Sequence, residues 1–464
     1  MAGAPASDPL LAHLAGYAAG LRWEHLTPDA LDGLKTRLVD TLGCAAGGLA
    51  GEPAAIARSL APLPSGGPTA TVWGTGAPST SEWAAFANTL AVRYLDFNDT
   101  YFAREGGHPS DALAGVLAAA EAAGCSGREA LVAMSAAYEV FCGLGEAERL
   151  ASAGIDHSLH VAIAVAAGAS RALGLDAGRT AHAIAMAAVA NPSLRVARAG
   201  RLSMWKAGAP AQAAQAGVQA AHLAAAGMTG PEAPFSGEGG LAALLGEEPA
   251  LPALGGQPLS EGGTAPFHAA LTSIKRFPAQ YNAQAAIQAA LTARERMRGA
   301  EPVVIIVATY AHAVRSCATG AEKWDVRERE TADHSIPYLV AVALADGEVT
   351  ERQFTPQRMG SRDVRTLLQR IRVVEEKAMT ARFPQALPAR LEVVLADGRT
   401  LMVDVTSARG GPGLPPTRDE VEAKFHALAD GPLGAGAAAA LLARAWTLEA
   451  EPTLVGLAGA LTQD

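Results

Sequence analysis

The chain changes character at a stretch rich in glycine and proline, residues 249–266. Residues 8–246, before this stretch, carry an almost unbroken helical pattern in which alanine supplies much of the apolar surface. After it, a β-branched run at residues 303–307 predicts a strand, and two alternating segments joined at Asp397-Gly398 predict a hairpin. The sequence thus combines a long helical part with a later part that mixes helices and strands.

A second break rich in glycine and proline, residues 410–416, ends the mixed part. Thr417 and Glu420 follow it with the spacing of a capping box, and the pattern then returns to helix rich in alanine and leucine. A chain of 464 residues is longer than a single hydrophobic core usually accommodates. We therefore predict a mainly α fold, with a smaller α/β domain inserted into a large helical domain and bounds at residues 1–266, 267–408 and 409–464.

A polar segment, residues 96–111, lies between two alanine-rich helical stretches. It contains three aspartates, His108, two aliphatic hydroxyls and a proline. Polar groups on a loop held by rigid helices are suited to acid–base chemistry. The alternative is a plain polar connection between helices, which the segment alone leaves open.

Lysine is scarce, with only six among the 37 basic residues. Unlike arginine, a buried lysine can lose its proton, and it presents a compact cation. Lys206 lies where an apolar helix begins, and Lys275 lies at the junction of the two predicted domains. Cations in a cleft between domains suit a carboxylate ligand. We expect the other four lysines to be surface charges: Lys35, Lys323, Lys377 and Lys424.

Three of the eleven histidines have polar neighbours, namely His108, His157 and His334. His157 precedes an apolar helix, where the helix dipole favours a neutral imidazole that can act as a base. We expect His160 to pack one turn further along the same helix. A capping or structural role is the alternative for each of these histidines.

The overall charge and the cysteines exclude several classes of partner. A net charge of −9 argues against nucleic acid or an anionic membrane as the main partner. No CxxC pair or Cys/His ligand spacing is present, so neither a zinc site nor an iron–sulfur cluster is supported, and we expect free buried thiols. We expect no metal ion and no cofactor. The long uncharged stretches, such as residues 207–227, resemble buried helices, and the first eight residues lack an apolar signal core. We expect a cytoplasmic protein.

Several motifs, taken in order along the chain, resemble those of the MmgE/PrpD family. They are DFNDT and GHPSD within residues 96–111, GIDH followed by LGL within residues 154–175, SMWKAGAPAQAAQAGV at residues 203–218, GMTGP at residues 227–231, KRFPAQYNAQ at residues 275–284 and ETADHSIPY at residues 330–338. The resemblance covers nearly the whole chain, and several motifs in register are more specific than any one of them.

The resemblance implies a helical domain with a smaller α/β lid domain, a site between the two, and a homodimer. Known members of the family are 2-methylcitrate dehydratases, cis-aconitate decarboxylases and an iminodisuccinate epimerase, which act on small polycarboxylates without a metal ion. The spacing from Thr100 to His108 is similar to that of the dehydratases and departs from that of the decarboxylases. The site residues that the resemblance implies are Asp96, Thr100, His108, His157, Lys206, Lys275 and Tyr338.

We interpret the chain as a hydro-lyase that eliminates water from a small polycarboxylate, in the manner of 2-methylcitrate dehydratase. Removing a proton beside a carboxylate needs a base, and the developing negative charge needs cations or hydrogen-bond donors. The expected base is His157 or His108, and the expected acid is the other histidine or Tyr338.

The remaining residues would support this chemistry, with Asp96 orienting a histidine and Thr100 holding a substrate carboxylate. Lys206 and Lys275 would form a cationic clamp on the substrate. The same residues suit an epimerase, an isomerase or a decarboxylase of a small di- or tricarboxylate. A catalytically silent binding or scaffold protein on the same fold is the alternative from a different class.

Overall fold

A computed structural model describes residues 8–411 and 413–462 of the protein. Its first part is almost entirely helical, and side-chain caps begin the first two helices. Asp8 accepts a hydrogen bond from the Leu11 N–H, and Thr27 accepts one from the Ala30 N–H. The elements of this part are α1 (Pro9–Gly20), α2 (Pro28–Gly48), α3 (Glu52–Ser59), β1 (Thr69–Val72), β2 (Ala77–Thr80), α4 (Ser81–Tyr94), α5 (Leu113–Ala122), α6 (Gly127–Ala147), α7 (Ser158–Ala172), α8 (Ala177–Ala190), α9 (Trp205–Ala225) and α10 (Leu241–Leu245).

Helix α7 lies at the centre of the first part and packs against α6, α8 and α9. Every residue of α7 up to Ser170 is buried. Small residues permit this close packing: a Cβ added at Gly168 would lie 2.9 Å from the carbonyl oxygen of Ala133 on α6. The packing fixes the beginning of α7, which His157 immediately precedes.

The second part contains a four-stranded mixed sheet with the strand order β4-β3-β5-β6. Strand β3 pairs in parallel with β4 and antiparallel with β5, and β5 and β6 form the predicted hairpin. The turn of this hairpin contains Gly398 at φ +85°, a conformation that glycine adopts without strain. The elements are α11 (Gln284–Met297), β3 (Pro302–Thr309), α12 (Ala311–Cys317), α13 (Arg329–Ala332), α14 (Ile336–Asp346), α15 (Pro356–Met359), α16 (Arg362–Leu368), β4 (Ile371–Glu375), α17 (Lys377–Thr380), β5 (Ala389–Leu395) and β6 (Thr400–Val405).

The chain finally returns to the first part through α18 (Arg418–Leu433), α19 (Ala435–Trp446) and α20 (Val455–Gly459). Thr417 and Glu420 form the predicted capping box at the start of α18. Helix α18 packs against α2, where a Cβ added at Gly43 would lie 3.1 Å from the Cα of Phe425. The two helices therefore approach closely enough for side chains of α18 to reach residues near the end of α4.

The prediction of a mainly α protein with a smaller α/β part is confirmed. One hydrophobic core contains residues from Leu10 to Ile274 and from Val421 to Leu461, and a second contains residues from Phe277 to Val405. This partition follows the predicted division into two parts, although Phe267, Ala269 and Ile274 belong to the first core; the domain bounds and the lid arrangement stay predictions. The four cysteines are buried and free, as expected.

The helical pattern of residues 8–246 did not show β2, a four-residue strand that contains a proline. Within the described residues one helix, α6, is long and apolar enough to cross a membrane, and 94% of its most apolar stretch is buried inside the molecule. Such burial is typical of a core helix. The expected absence of a signal core concerns residues that lie largely outside the described range.

Candidate active site

The turn that follows α4 places a carboxylate among three cations. Asp96 is fully buried and has φ +51°, a left-handed conformation that is uncommon for a residue with a side chain. Its Oδ1 accepts hydrogen bonds from Arg93 Nη1 at 2.6 Å and Lys275 Nζ at 2.5 Å, and its Oδ2 lies 3.4 Å from Lys206 Nζ. Burial alone would raise the pKa of Asp96, but the neighbouring cations outweigh it and hold this pKa well below its usual range.

A second carboxylate completes this buried cluster. Asp333 Oδ2 accepts a hydrogen bond from Lys206 Nζ at 2.6 Å, and Asp333 Oδ1 lies 2.6 Å from His334 Nδ1. The same imidazole nitrogen lies 3.4 Å from Asp96 Oδ2. Lys206 opposes the dipole of α9, at whose start it lies, and its contact with Asp333 offsets that cost. Lys206 and Asp96 join the first part of the chain to Asp333 and His334 in the second.

His108 is held on the polar loop with a defined tautomer. Its Nδ1 lies 2.6 Å from the carbonyl oxygen of Asp99 and 3.2 Å from Thr100 Oγ1. A carbonyl oxygen only accepts, so Nδ1 carries the proton and, in the neutral ring, Nε2 carries the lone pair. Burial, followed by the charges of Arg93 and Lys275, lowers the pKa of His108 well below its usual value. The ring is therefore a neutral base at physiological pH.

His157 presents a second neutral imidazole beside the first. Its Nδ1 faces Asp156 Oδ2 at 3.5 Å, and Arg198 Nε and Ser158 Oγ hold that carboxylate at 3.1 Å and 2.5 Å. Burial lowers the pKa of His157 to about 3, although Asp156 opposes the shift. Its Nε2 is buried and has no hydrogen-bond partner within residues 8–411 and 413–462. The rings of His108 and His157 meet edge to face, with centroids 5.4 Å apart.

His334 follows the same pattern as the other two imidazoles. Its Nδ1 is engaged by Asp333, and burial together with the charge of Lys206 lowers its pKa to about 4. In the described part of the chain, no protein group forms a hydrogen bond with the Nε2 of His334 or of His108. The site thus offers three neutral rings whose Nδ1 atoms face an oxygen atom of the protein and whose Nε2 atoms form no hydrogen bond with a described residue.

A cleft of about 640 Å³ opens over these rings. Thr100, His108, His157 and His334 line it, and its charged lining is strongly cationic. The carboxylates on its lining are Glu105 and Asp156, and the arginines are Arg93, Arg104, Arg149, Arg195 and Arg198. In a chain with a net charge of −9, such a local excess of arginine suits an anionic ligand. The other side of the cleft belongs to the second part and includes Gln280, Tyr281, Asn282, His312 and Phe383.

The structure brings together six of the seven residues implied by the resemblance: Asp96, Thr100, His108, His157, Lys206 and Lys275. Two of them have other surroundings than expected. Lys206 and Lys275 do not line the cleft, because both are fully buried beneath it with their ammonium groups bound by carboxylates. Asp96 lies against His334, and Asp156 is the carboxylate that faces His157.

Tyr338 is the residue that the structure does not bring to the cleft. It lies in the core of the second part, where its hydroxyl donates a hydrogen bond to the carbonyl oxygen of Gln353. The expectation of surface positions was also wrong for Lys323, whose residue is 4% exposed, and for Lys424, whose side chain is 9% exposed. His160 is packed in α7 as expected, with Nε2 3.2 Å from Glu148 Oε2.

Sequence reasoning missed the carboxylates and guanidinium groups that hold the imidazoles, above all Asp156, Arg198, Asp333 and Arg93. Asp156 and Asp333 each stand directly before a histidine in the chain, and this was the available signal. Arg93 and Arg198 gave no signal among so many arginines.

Asp96, Asp333 and His334 present ligand atoms within 4.8 Å of one another, as a metal site would. These atoms, however, already face the ammonium groups of Lys206 and Lys275. A divalent cation placed there would meet two positive charges at close range, so this donor set does not fit a metal ion.

The fold and the cleft define a class of mainly α proteins in which an arginine-lined cleft presents anchored neutral imidazoles. The model of the MmgE/PrpD N-terminal domain matches residues 12–254, and that of the MmgE/PrpD C-terminal domain matches residues 277–449. The chain belongs to the MmgE/PrpD family.

Relatives in this family carry two different activities in their names. A 2-methylcitrate dehydratase of Cupriavidus necator is 29% identical over 429 residues, which cover 86% of this chain and 84% of the relative. A 2-methylcitrate dehydratase of Escherichia coli K12 is 30% identical over 371 residues, 74% of this chain and 73% of the relative. Human cis-aconitate decarboxylase is 28% identical over 427 residues, 88% and 85% of the two chains.

Proposed function

We propose that this protein is a hydro-lyase that eliminates water from a small polycarboxylate, similar to 2-methylcitrate dehydratase, without a metal ion or a cofactor. The observation that carries the proposal is the buried Nε2 of a neutral His157, to which no described residue forms a hydrogen bond, beside an arginine-rich cleft. The names of the dehydratase relatives support the same reaction.

The arginines divide into those that hold protein carboxylates and those that are available to a substrate. Arg93 binds Asp96, Arg104 binds Glu247 and Arg198 binds Asp156. Within the described residues, Arg149 and Arg195 form no ion pair. A substrate with two or three carboxylates supplies the anions that these cations lack, and bidentate contacts would fix its orientation.

The elimination moves one proton and one hydroxyl group. His157 Nε2 takes the proton from the carbon beside a substrate carboxylate, and the electron pair of that C–H bond becomes the new C=C bond. The hydroxyl on the neighbouring carbon leaves with a proton from the acid, so that one molecule of water is released. His108 and His334 are the candidates for the acid once the substrate's negative charge raises their proton affinity.

The two lysines act on this chemistry through the residues they hold. Lys275 and Lys206 fix Asp96 and Asp333, which in turn hold the Nδ1 side of His334. Their positive charge beneath the cleft also stabilises negative charge that develops on the substrate. This replaces the direct clamp on the substrate that the sequence led us to expect.

A decarboxylase or an epimerase acting on a related polycarboxylate is the second candidate. The similarity to human cis-aconitate decarboxylase favours a decarboxylase. The pair of neutral imidazoles, His108 and His157, favours an epimerase, because that reaction needs two groups that exchange a proton with one carbon.

A turnover screen in deuterated water separates these reactions. Protein freed of metal with a chelator is offered 2-methylcitrate, citrate, cis-aconitate and iminodisuccinate, and NMR follows water loss, carbon dioxide release and deuterium uptake. Alkene formation from 2-methylcitrate is the expected result. Deuterium uptake without loss of water or carbon dioxide supports the epimerase instead, and loss of carbon dioxide supports the decarboxylase. Silence on all four compounds contradicts the proposal and favours a binding or scaffold protein.

Three further expectations accompany the proposal. We propose that the protein is a cytoplasmic homodimer, and that its α/β part acts as a lid on the helical part. The second part supports the last point, since residues from it form one side of the cleft.

A further inference from the structure

A buried lysine of the last third of the chain reaches the backbone of the site. Lys424 on α18 donates hydrogen bonds to the carbonyl oxygens of Phe97 at 2.7 Å and Lys275 at 3.1 Å. Its ammonium group lies 2.6 Å from Asp40 Oδ1 on α2 and 3.8 Å from the centroid of the Phe97 ring. Lys424 therefore connects two helices to both chain segments that carry the buried cluster.

The segment beside Phe97 holds a conformation that needs support. Asp96 has φ +51°, and a non-glycine residue in this region costs on the order of 1 kcal/mol unless its surroundings fix it. Lys275 Nζ binds the carbonyl oxygen of Asp96 at 2.7 Å, and Lys424 Nζ binds the next carbonyl oxygen, that of Phe97. Two ammonium groups thus hold two successive carbonyl groups of the turn.

The two lysines also depend on each other. Lys424 binds the main-chain carbonyl oxygen of Lys275, while the side chain of Lys275 binds Asp96. The same two segments are joined at their other end, where Thr100 and Ser273 exchange backbone hydrogen bonds of 2.9 Å and 2.7 Å. Without Lys424, the segments would keep this far end and the side-chain contacts of Lys275 with Asp96, but the main chain of Lys275 and the Phe97 carbonyl group would lose the donor they share.

We propose that Lys424 is a positioning residue that holds the left-handed turn at Asp96 and the main chain of Lys275 in the arrangement the site requires. It touches neither the cleft nor any imidazole, and it acts by fixing where the Asp96 carboxylate and the Lys275 ammonium group meet. Its kinetic consequence rests on the proposed function, whereas its structural consequence does not.

The test must avoid leaving a buried charge unpaired, because an unpaired buried charge costs several kcal/mol and can unfold the protein. The double variant Asp40→Asn/Lys424→Met removes the ammonium group and its counter-charge together, so the carbonyl groups lose their donor at little electrostatic cost. The variant Asp40→Asn/Lys424→Gln differs from it by an amide that restores an N–H donor one bond short of the original. The matched control is Lys35→Met, which removes a lysine of α2 itself from its partly buried 2.5 Å ion pair with Glu449, away from the site.

We expect the Asp40→Asn/Lys424→Met variant to lose about 10- to 100-fold in kcat, because a displaced supporting shell has that effect. Its KM should stay within about threefold, since the arginines of the cleft are untouched. The glutamine variant should recover part of the loss, and Lys35→Met should keep the kcat of the wild type. A methionine variant whose kcat stays within about twofold of the wild type overturns the proposal.

A crystal structure of the Asp40→Asn/Lys424→Met variant tests the proposal without any substrate. We expect Asp96 to leave the left-handed region and Lys275 Nζ to leave the Asp96 carbonyl oxygen. Retention of both features overturns the proposal, even if the wild type turns over none of the compounds offered, a result that would refute only the proposed function. If the methionine variant does not fold, the glutamine variant takes its place: its shorter side chain cannot span both carbonyl oxygens, so an unchanged turn with an unchanged kcat is again the contradicting result.

Discussion

The lowered pKa of His157 leads to a specific prediction about how catalysis depends on pH. An ordinary imidazole, with a pKa near 6.5, is only about 3% neutral at pH 5. Burial lowers the pKa of His157 to about 3, at which about 99% of the ring is neutral at pH 5. The same calculation leaves His334, with a pKa of about 4, about 90% neutral. The base form therefore persists where an exposed histidine would be largely protonated.

The assay is kcat/KM between pH 4.5 and pH 8, because this parameter reports the ionisation of the free protein. The substrate's own carboxyl titration is measured separately and divided out, and circular dichroism confirms that the protein stays folded. We expect kcat/KM at pH 5 to remain within about twofold of its plateau. A fall of about 30-fold from pH 7.5 to pH 5 would show an ordinary imidazole and refute the argument from burial. His157→Gln, run in parallel, should lose about 10²–10⁴-fold at every pH.

Three other predictions follow from the same contacts. Because the pKa of His157 in the folded protein lies below its value in the unfolded chain, the unfolded chain binds the extra proton, and the free energy of unfolding falls on acidification below pH 6.5. In urea titrations, His157→Gln should remove about 2 kcal/mol of that fall by pH 5. An identical dependence of stability on pH in the variant and the wild type would contradict this. For His268, burial opposes a charged ring, but Glu139 and Glu146 raise its pKa to about 9. The charged ring therefore stabilises the folded protein in full below pH 6.5, and this stabilisation is lost as the pH rises through 9. The stability difference between His268→Asn and the wild type should therefore shrink by about 3 kcal/mol between pH 6 and pH 9.5, and a constant difference would be evidence against a charged ring. Tyr338→Phe should cost about 1 kcal/mol of stability through the lost hydrogen bond to Gln353 and leave kcat unchanged, and a large loss of kcat would return Tyr338 to the chemistry.

Local rules were sufficient for the elements whose signals lie within a few residues. The capping box at Thr417 and the hairpin turn at Gly398 were predicted from residue type and spacing alone, and the structure has both of them. The loop with Thr100 and His108 was also recognisable, because its polarity contrasts with the apolar helices on either side.

Burial that arises from contacts distant in sequence was not predictable in the same way. Lys424 stands among acidic and polar residues of α18, and only the approach of α2 and of the turn at Asp96 buries its ammonium group. Tyr338 lies in an apolar helix whose residues 336–344 are all buried, so the sequence pattern does not reveal that its hydroxyl meets Gln353 rather than the cleft. Asp156 and Asp333 stand beside their histidines in the chain, but the cations that bind these carboxylates, Arg198 and Lys206, come from other segments, so their pairing is a property of the folded chain.

The most direct test of the account is the formation of alkene from 2-methylcitrate by chelator-treated protein, followed by NMR with His157→Gln and Tyr338→Phe beside the wild type. The account predicts conversion by the wild type and by Tyr338→Phe, and a loss of about 10²–10⁴-fold in His157→Gln. Conversion that needs added metal, or that persists in His157→Gln, would contradict the central claim that a neutral buried imidazole in this cleft removes the substrate's proton.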